Sequence, residues 1–129
     1  MGSTAPVVAL VDDDESMREA LPDLLAAMGY AANVFASARE FLESDVVELA
    51  TCLIADVATP GMTGPELYRD LRARGNRIPV IFITAHQDAA GRERMMAEGA
   101  VEYLFKPFSD TALQAALHAA LGSKEWMAR

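Results

Sequence analysis

The chain has 129 residues, with 11 lysines and arginines against 19 aspartates and glutamates, for a formal charge of −8. That length suits one domain with a substantial core, and 52% hydrophobic with 23% charged residues, the apolar ones in short blocks between Gly, Pro and Asp, excludes a disordered chain or a coiled coil. The negative balance excludes nucleic-acid binding by this chain unaided, which needs a Lys/Arg patch; no apolar run approaches the ~18 residues of a membrane span, and without a signal-peptide pattern the sequence reads as cytoplasmic.

Val7 to Val11 is the first apolar, β-branched run, and the segment Ser16 to Met28, closed by Gly29, has helical character. A second strand follows at Asn33 to Phe35, after which Ser37 and Glu40 stand in capping-box spacing at the head of a second helix. Cys52 to Ala55 forms the third strand; Cys52 is the only cysteine, which leaves no disulfide and no cysteine metal site and makes it a small buried hydrophobe. Pro65 opens a third helix that Gly75 ends. The fourth strand runs from Val80 to Thr84, and the helix after it ends at Gly99 and contains Gly91, a residue that costs about 1 kcal/mol there relative to Ala. A fifth strand at Val101 to Phe105 and a last helix between Ser109 and Gly122 complete the pattern.

Five strands alternating with five helices predict an α/β fold, a parallel sheet with helices on both faces. The first, third and fourth strands are almost wholly apolar and belong in the middle. The prediction is one domain over residues 1–129, with its core at about 6–121 and residues 122–129 as a tail or the start of a linker.

In an open parallel sheet, ligands bind at the carboxyl ends of the strands. Here the first strand ends in Asp12, Asp13, Asp14 and Glu15, the third in Asp56, the fourth in Thr84 and the fifth in Lys106 and Pro107. Carboxylates gathered at one edge repel each other, and a hard divalent cation with oxygen ligands relieves that; Mg²⁺ fits such a donor set. A lysine and a threonine hydroxyl at adjacent strand ends add a charge and a donor suited to a phosphoryl group. Taken singly, each has a plainer role, as a helix-capping turn, a strand end or a surface lysine; their convergence at one edge is what points to a site.

These residues lie in five separated signatures: Val11-Asp12-Asp13 with Ser16-Met17-Arg18, then Asp56-Val57-Ala58-Thr59-Pro60-Gly61-Met62-Thr63-Gly64, Ile83-Thr84-Ala85 and Lys106-Pro107-Phe108. Their order, with 43 residues from Asp13 to Asp56, 28 on to Thr84 and 22 on to Lys106, resembles the receiver domain of bacterial two-component response regulators, the CheY-like family. The segments Ile78 to His86 and Gly99 to Tyr103 are most similar to receivers of regulators that carry a C-terminal helix-turn-helix.

The resemblance implies a flavodoxin-like sheet of order 2-1-3-4-5 and a signalling phosphoacceptor that catalyses only its own phosphorylation and dephosphorylation. It makes Asp56 the phosphoacceptor, with a sensor histidine kinase or a small phosphodonor as source. Asp13, Asp56 and the Ala58 carbonyl would bind Mg²⁺, with Asp12 acting through water, while Lys106 and Thr84 would hold phosphoryl oxygens and Pro107 would follow a cis bond. Thr84 and Tyr103 would form the switch, Thr84 moving toward the phosphoryl group and leaving space into which Tyr103 turns. The face made by the fourth helix, fifth strand and fifth helix would then carry output or homodimer contacts, and any DNA-binding domain would lie beyond Arg129.

Two positions depart from the common pattern. Thr59 replaces an apolar residue before Pro60, and Ala58 offers no polar side chain, so that Ala58 and His86 are the positions expected to tune hydrolysis. A haloacid-dehalogenase-type phosphatase would need a second Asp where Ala58 stands, and a flavin carrier would need Ser, Thr and Gly donors in place of the acidic loop after the first strand. A receiver-like module that no longer takes phosphate is the remaining alternative, against which stands the full set of phosphorylation residues.

Overall fold

A computed structural model describes residues 5–121. Strands β1 (Val7–Val11), β2 (Ala31–Phe35), β3 (Cys52–Asp56), β4 (Val80–Thr84) and β5 (Glu102–Phe105) alternate with helices α1 (Glu15–Ala27), α2 (Ala38–Leu42), α3 (Val46–Leu49), α4 (Gly64–Ala73), α5 (Ala89–Glu98) and α6 (Asp110–Ala120). All strand pairs are parallel, in the order β2-β1-β3-β4-β5. This is the flavodoxin-like arrangement, and β1, β3 and β4 are central as expected. No helix among the described residues is long and apolar enough to cross a membrane.

Alternation along the strands builds two cores. Val8, Leu10, Cys52, Ile54, Ile81 and Ile83 face α1 and α6, meeting Leu21, Leu25, Leu113 and Leu117. Ala9, Val11, Leu53, Ala55, Val80 and Phe82 face the other way, onto Phe41 of α2, Leu67 and Leu71 of α4 and Met95 of α5. Burial on both sides is why these strands read as unbroken apolar runs. Cys52 sits inside the first core, where burial pushes its thiol up to about 12, so it stays protonated and unreactive.

Several local signals act as read. Gly29, Gly75 and Gly99 take positive φ at the ends of α1, α4 and α5, and the Ser109 side chain accepts the Ala112 N–H at the head of α6. The Gly122 stop and the tail 122–129 lie outside the described residues.

Two expectations need correction. The described residues form six helices, because the second crossover is broken: the Ser44 hydroxyl donates to the Phe41 carbonyl and accepts the Val46 N–H, which closes α2 and opens α3. The box at Ser37 is half made, since Glu40 reaches back to the Ala36 N–H rather than to Ser37. A complete capping box forms instead at Thr63 and Glu66, at the head of α4. The expected fourth and fifth helices are therefore α5 and α6.

Candidate functional site

The carboxyl ends of β1, β3, β4 and β5 bring Asp12, Asp56, Thr84 and Lys106 together, as their strand registers require. The Lys106 ammonium donates to Asp12 Oδ2 at 3.0 Å and to Asp56 Oδ2 at 3.2 Å. Asp12 is fully buried and Asp56 is 8% exposed. The remaining oxygens are also engaged, Asp12 Oδ1 by the Asp14 N–H and Asp56 Oδ1 by the Ala58 N–H, both at 2.9 Å.

Charge at this edge is unbalanced. Carboxylate oxygens of Asp12, Asp13 and Asp56 lie within 4.8 Å of one another, and Asp13 is exposed. Among the described residues, Lys106 is the only cation paired with this group. Burial raises the Asp12 pKa, the Asp14 N–H and Lys106 bonds oppose that, and the nearby Asp56 adds to it. Burial pulls the Lys106 ammonium down, but its bond to Asp12 and the charges of Asp56 and Asp12 outweigh this and raise it, so it stays protonated. Three hard oxygen donors with one ammonium between them fit a divalent cation.

The acidic run after β1 divides its labour. Asp12 faces inward, Asp13 stands free at the rim, and Asp14 caps α1 by accepting the Ser16 N–H. Glu15 occupies the first turn of α1, where a negative charge complements the helix dipole. The Arg18 guanidinium, one turn on, donates to the Asp12 carbonyl at 3.0 Å and steadies the strand end, a contact no spacing rule reveals.

The loop after Asp56 is held from several sides. Thr59 is buried, and its hydroxyl donates to the Met62 carbonyl at 2.8 Å, which accounts for a polar residue at this position. Gly61 has φ +80°, and a Cβ on Gly64 would lie 2.6 Å from the Asp56 carbonyl oxygen, so α4 can start this close to the acceptor strand only with glycine there. The Ala58 side chain is exposed.

Thr84 is buried at the end of β4, where its Oγ1 accepts the His86 N–H at 3.1 Å. Its own hydroxyl hydrogen has no acceptor among the described residues, which leaves it available to an incoming oxygen. His86 itself is exposed. The Lys106–Pro107 bond is cis. Tyr103 lies inward on the α5 side of the sheet, 3% exposed, between Phe82 and Phe105.

The pattern of the response regulator receiver domain matches residues 8–118. The chain belongs to this family. The receiver domain is 42% identical over 118 residues to nodulation protein W of Bradyrhizobium diazoefficiens, covering 92% of this chain and 52% of that protein. It is 41% identical over 115 residues to the transcriptional regulatory protein FixJ of Azorhizobium caulinodans, covering 89% and 54%. The receiver domain thus spans about half the length of the curated relatives it matches. Among solved structures it superposes on the response regulator StyR with a TM-score of 0.84 at 42% identity, over 93% of this chain and 61% of that one. A receiver protein from Burkholderia phymatum gives 0.77 at 44% identity, over 91% and 95%. The receiver domain is therefore a signalling module of the two-component type related to FixJ.

Proposed function

We propose that Asp56 is the phosphoacceptor and that the domain switches a surface when it is loaded. The observation that carries this reading is the Asp56 carboxylate held against Lys106 beside two further carboxylates at the open edge of the sheet. In the reaction, an Asp56 oxygen attacks phosphorus, a P–O bond forms, and the P–N bond of a phosphohistidine, or the P–O bond of acetyl phosphate, breaks with its electron pair leaving on the donor. Phosphoryl transfer asks for positioning and charge neutralisation more than for covalent help. Lys106 pairs with the incoming phosphoryl oxygens, and Thr84 donates its free hydroxyl to one of them.

Asp13, Asp56 and the Ala58 carbonyl are the residues that would hold Mg²⁺, with Asp12, fully buried behind them, acting through water. When bound, the metal supplies charge neutralisation between the nucleophile and the phosphoryl group. Ala58 and His86 flank the acceptor and set how well a hydrolytic water is positioned. Thr84 and Tyr103 couple the site to the α5–β5–α6 face, which would carry homodimer or output contacts. A sensor histidine kinase is the donor this reading requires, in the cytoplasm, and the half-length match to transcriptional regulators supports a DNA-binding domain beyond Arg129 in a longer protein, with residues 6–121 as the receiver core.

The decisive experiment is incubation with acetyl phosphate and Mg²⁺ followed by intact mass measurement. The parent should gain one phosphoryl group, and Asp56→Asn should gain none. An Asp56→Asn protein phosphorylated as well as the parent would refute the assignment.

A further inference from the structure

Gly91 sits at the third position of α5, where glycine is the poorest helix former after proline. Its backbone is ordinary helix, so conformational freedom does not explain it. The space around it does. A Cβ on Gly91 would lie 2.6 Å from Asp88 Oδ2 and 3.0 Å from the Tyr103 hydroxyl oxygen, closer than side chains normally pack. Asp88 is fixed in turn as the N-cap of α5, accepting the Gly91 N–H at 3.0 Å. The missing side chain therefore leaves a notch at the start of α5, and the tip of Tyr103 occupies it.

The ring behind that tip is held as well. Its centroid is 5.9 Å from Phe82 and 5.7 Å from Phe105, in tilted and edge-on arrangements. Burial, with the Asp88 charge adding to it, raises the phenol above its ordinary pKa, so a neutral hydroxyl stands beside the carboxylate.

We infer that Gly91 is a positioning residue for Tyr103: the notch admits the ring to the interior before any phosphoryl group reaches Asp56, so that Tyr103 already rests in the form phosphorylation selects while Thr84 does not. This deepens the reading of Thr84 and Tyr103 as a switch and rests on it. A ligand moves a conformational equilibrium only through its different affinity for the two states. A chain with Tyr103 already in place pays less of the population penalty on loading, and filling the notch restores the rest of it. Tyr103 then has little left to do on phosphorylation, and Thr84 carries the response.

The test uses fluorine NMR of protein labelled with meta-fluorotyrosine, which gives three signals from the three tyrosines; loss of one in Tyr103→Phe assigns it. In the metal-free parent the Tyr103 signal should show the small solvent isotope shift of a buried ring and should move little on adding Mg²⁺ with beryllium fluoride. Gly91→Leu, which fills the notch, should move that signal to a solvent-exposed position and weaken beryllium fluoride binding several-fold, with Gly91→Ala between the two. Of the atoms the added Cβ meets, only the hydroxyl belongs to Tyr103, so Gly91→Ala made in the Tyr103→Phe background should weaken beryllium fluoride binding less than Gly91→Ala does in the parent, the contact with Asp88 being common to both. A solvent-exposed Tyr103 signal in the metal-free parent overturns the inference, as does a signal unchanged by Gly91→Ala and Gly91→Leu. Should Gly91→Leu fail to fold, the Gly91→Ala comparison in the two backgrounds decides. The metal-free spectra stand apart from phosphorylation: a parent that binds no beryllium fluoride refutes the phosphoacceptor reading, whereas a misplaced Tyr103 signal refutes only the notch.

Discussion

Asp12, Asp13 and Lys106 sit within one cluster yet respond differently to removal. Lys106 neutralises two carboxylates that are largely out of water. Lys106→Met leaves them facing each other, and the loss should be about 3 kcal/mol, the lower end for breaking a buried pair because the lysine keeps some solvent. Urea unfolding measures it, and millimolar Mg²⁺ should recover part of the loss. Asp13 is exposed and adds only repulsion to the metal-free protein. Asp13→Ala should melt higher than the parent in EDTA and lose the stabilisation by Mg²⁺, about 2.7 kcal/mol for a hundredfold excess over the dissociation constant. A variant that melts lower in EDTA contradicts this account of the site. At Thr59 the buried hydroxyl bond should be worth about 1 kcal/mol. Thr59→Val should lose it and Thr59→Ser should retain it, with equal Mg²⁺ affinity in the parent and Thr59→Ser as the check on the loop.

Helix α4 is tied to the end of α5 by polar contacts of Tyr68 and Arg69 with Glu98. The Tyr68 hydroxyl donates to the Glu98 carbonyl at 2.8 Å, and Arg69 forms two bonds to the Glu98 carboxylate, at 2.7 and 3.0 Å. Arg72 lies over the Tyr68 ring, 4.3 Å from its centroid, fixing the ring from outside. Gly99 at φ +120° turns the chain away, and a Cβ there would meet the Tyr68 hydroxyl at 2.6 Å. The Arg69 bond lowers the Glu98 pKa. A depressed carboxylate contributes stability above its ordinary value of 4.5, and that contribution is lost as the pH falls through the lowered native value. Glu98→Gln should therefore cost at most about 1 kcal/mol at neutral pH, given the exposure of the pair, and the difference from the parent should vanish in acid. Denaturant midpoints of the two proteins across the acid range test the sign. Within α1, Pro22 removes the N–H that would bond the Arg18 carbonyl, yet Leu21 and Leu25 on either side are buried against the sheet. Packing outweighs the propensity loss there.

Across the molecule, the acidic edge and the proposed readout face meet at the carboxyl end of β4, where Thr84 sits. The acidic edge collects negative charge on a chain already at −8. The α5–β5–α6 face, reached from Thr84 and Tyr103, is where loading would be read out. Mg²⁺ with beryllium fluoride should accordingly promote a homodimer through this face, since two-fold output calls for two-fold proteins. Light scattering should show the mass rise only when both are present, and an unchanged mass well above micromolar concentration contradicts the dimer.

What the amino-acid pattern settled unaided was local or periodic: the alternation of strands and helices, the glycine stops, the Ser109 cap, and the placement of Asp56, Thr84 and Lys106 at strand ends. Each follows from backbone propensity, side-chain period or a neighbour a few residues away. The role of each acid after β1 was not legible in this way, because what buries Asp12 and leaves Asp13 at the rim is the packing of the sheet edge, which sets Asp12 against Lys106, 94 residues further along the chain. The split between α2 and α3 turned on one Ser44 hydroxyl choosing backbone partners, and the true capping box turned on which glutamate reached its own cap. Gly91 read as a helix defect, and became a notch only once β5 had brought Tyr103 against α5. Contacts between distant segments depend on how the sheet and helices pack, and burial, which sets the strength of every charge and hydroxyl in the site, exists only after that packing is complete.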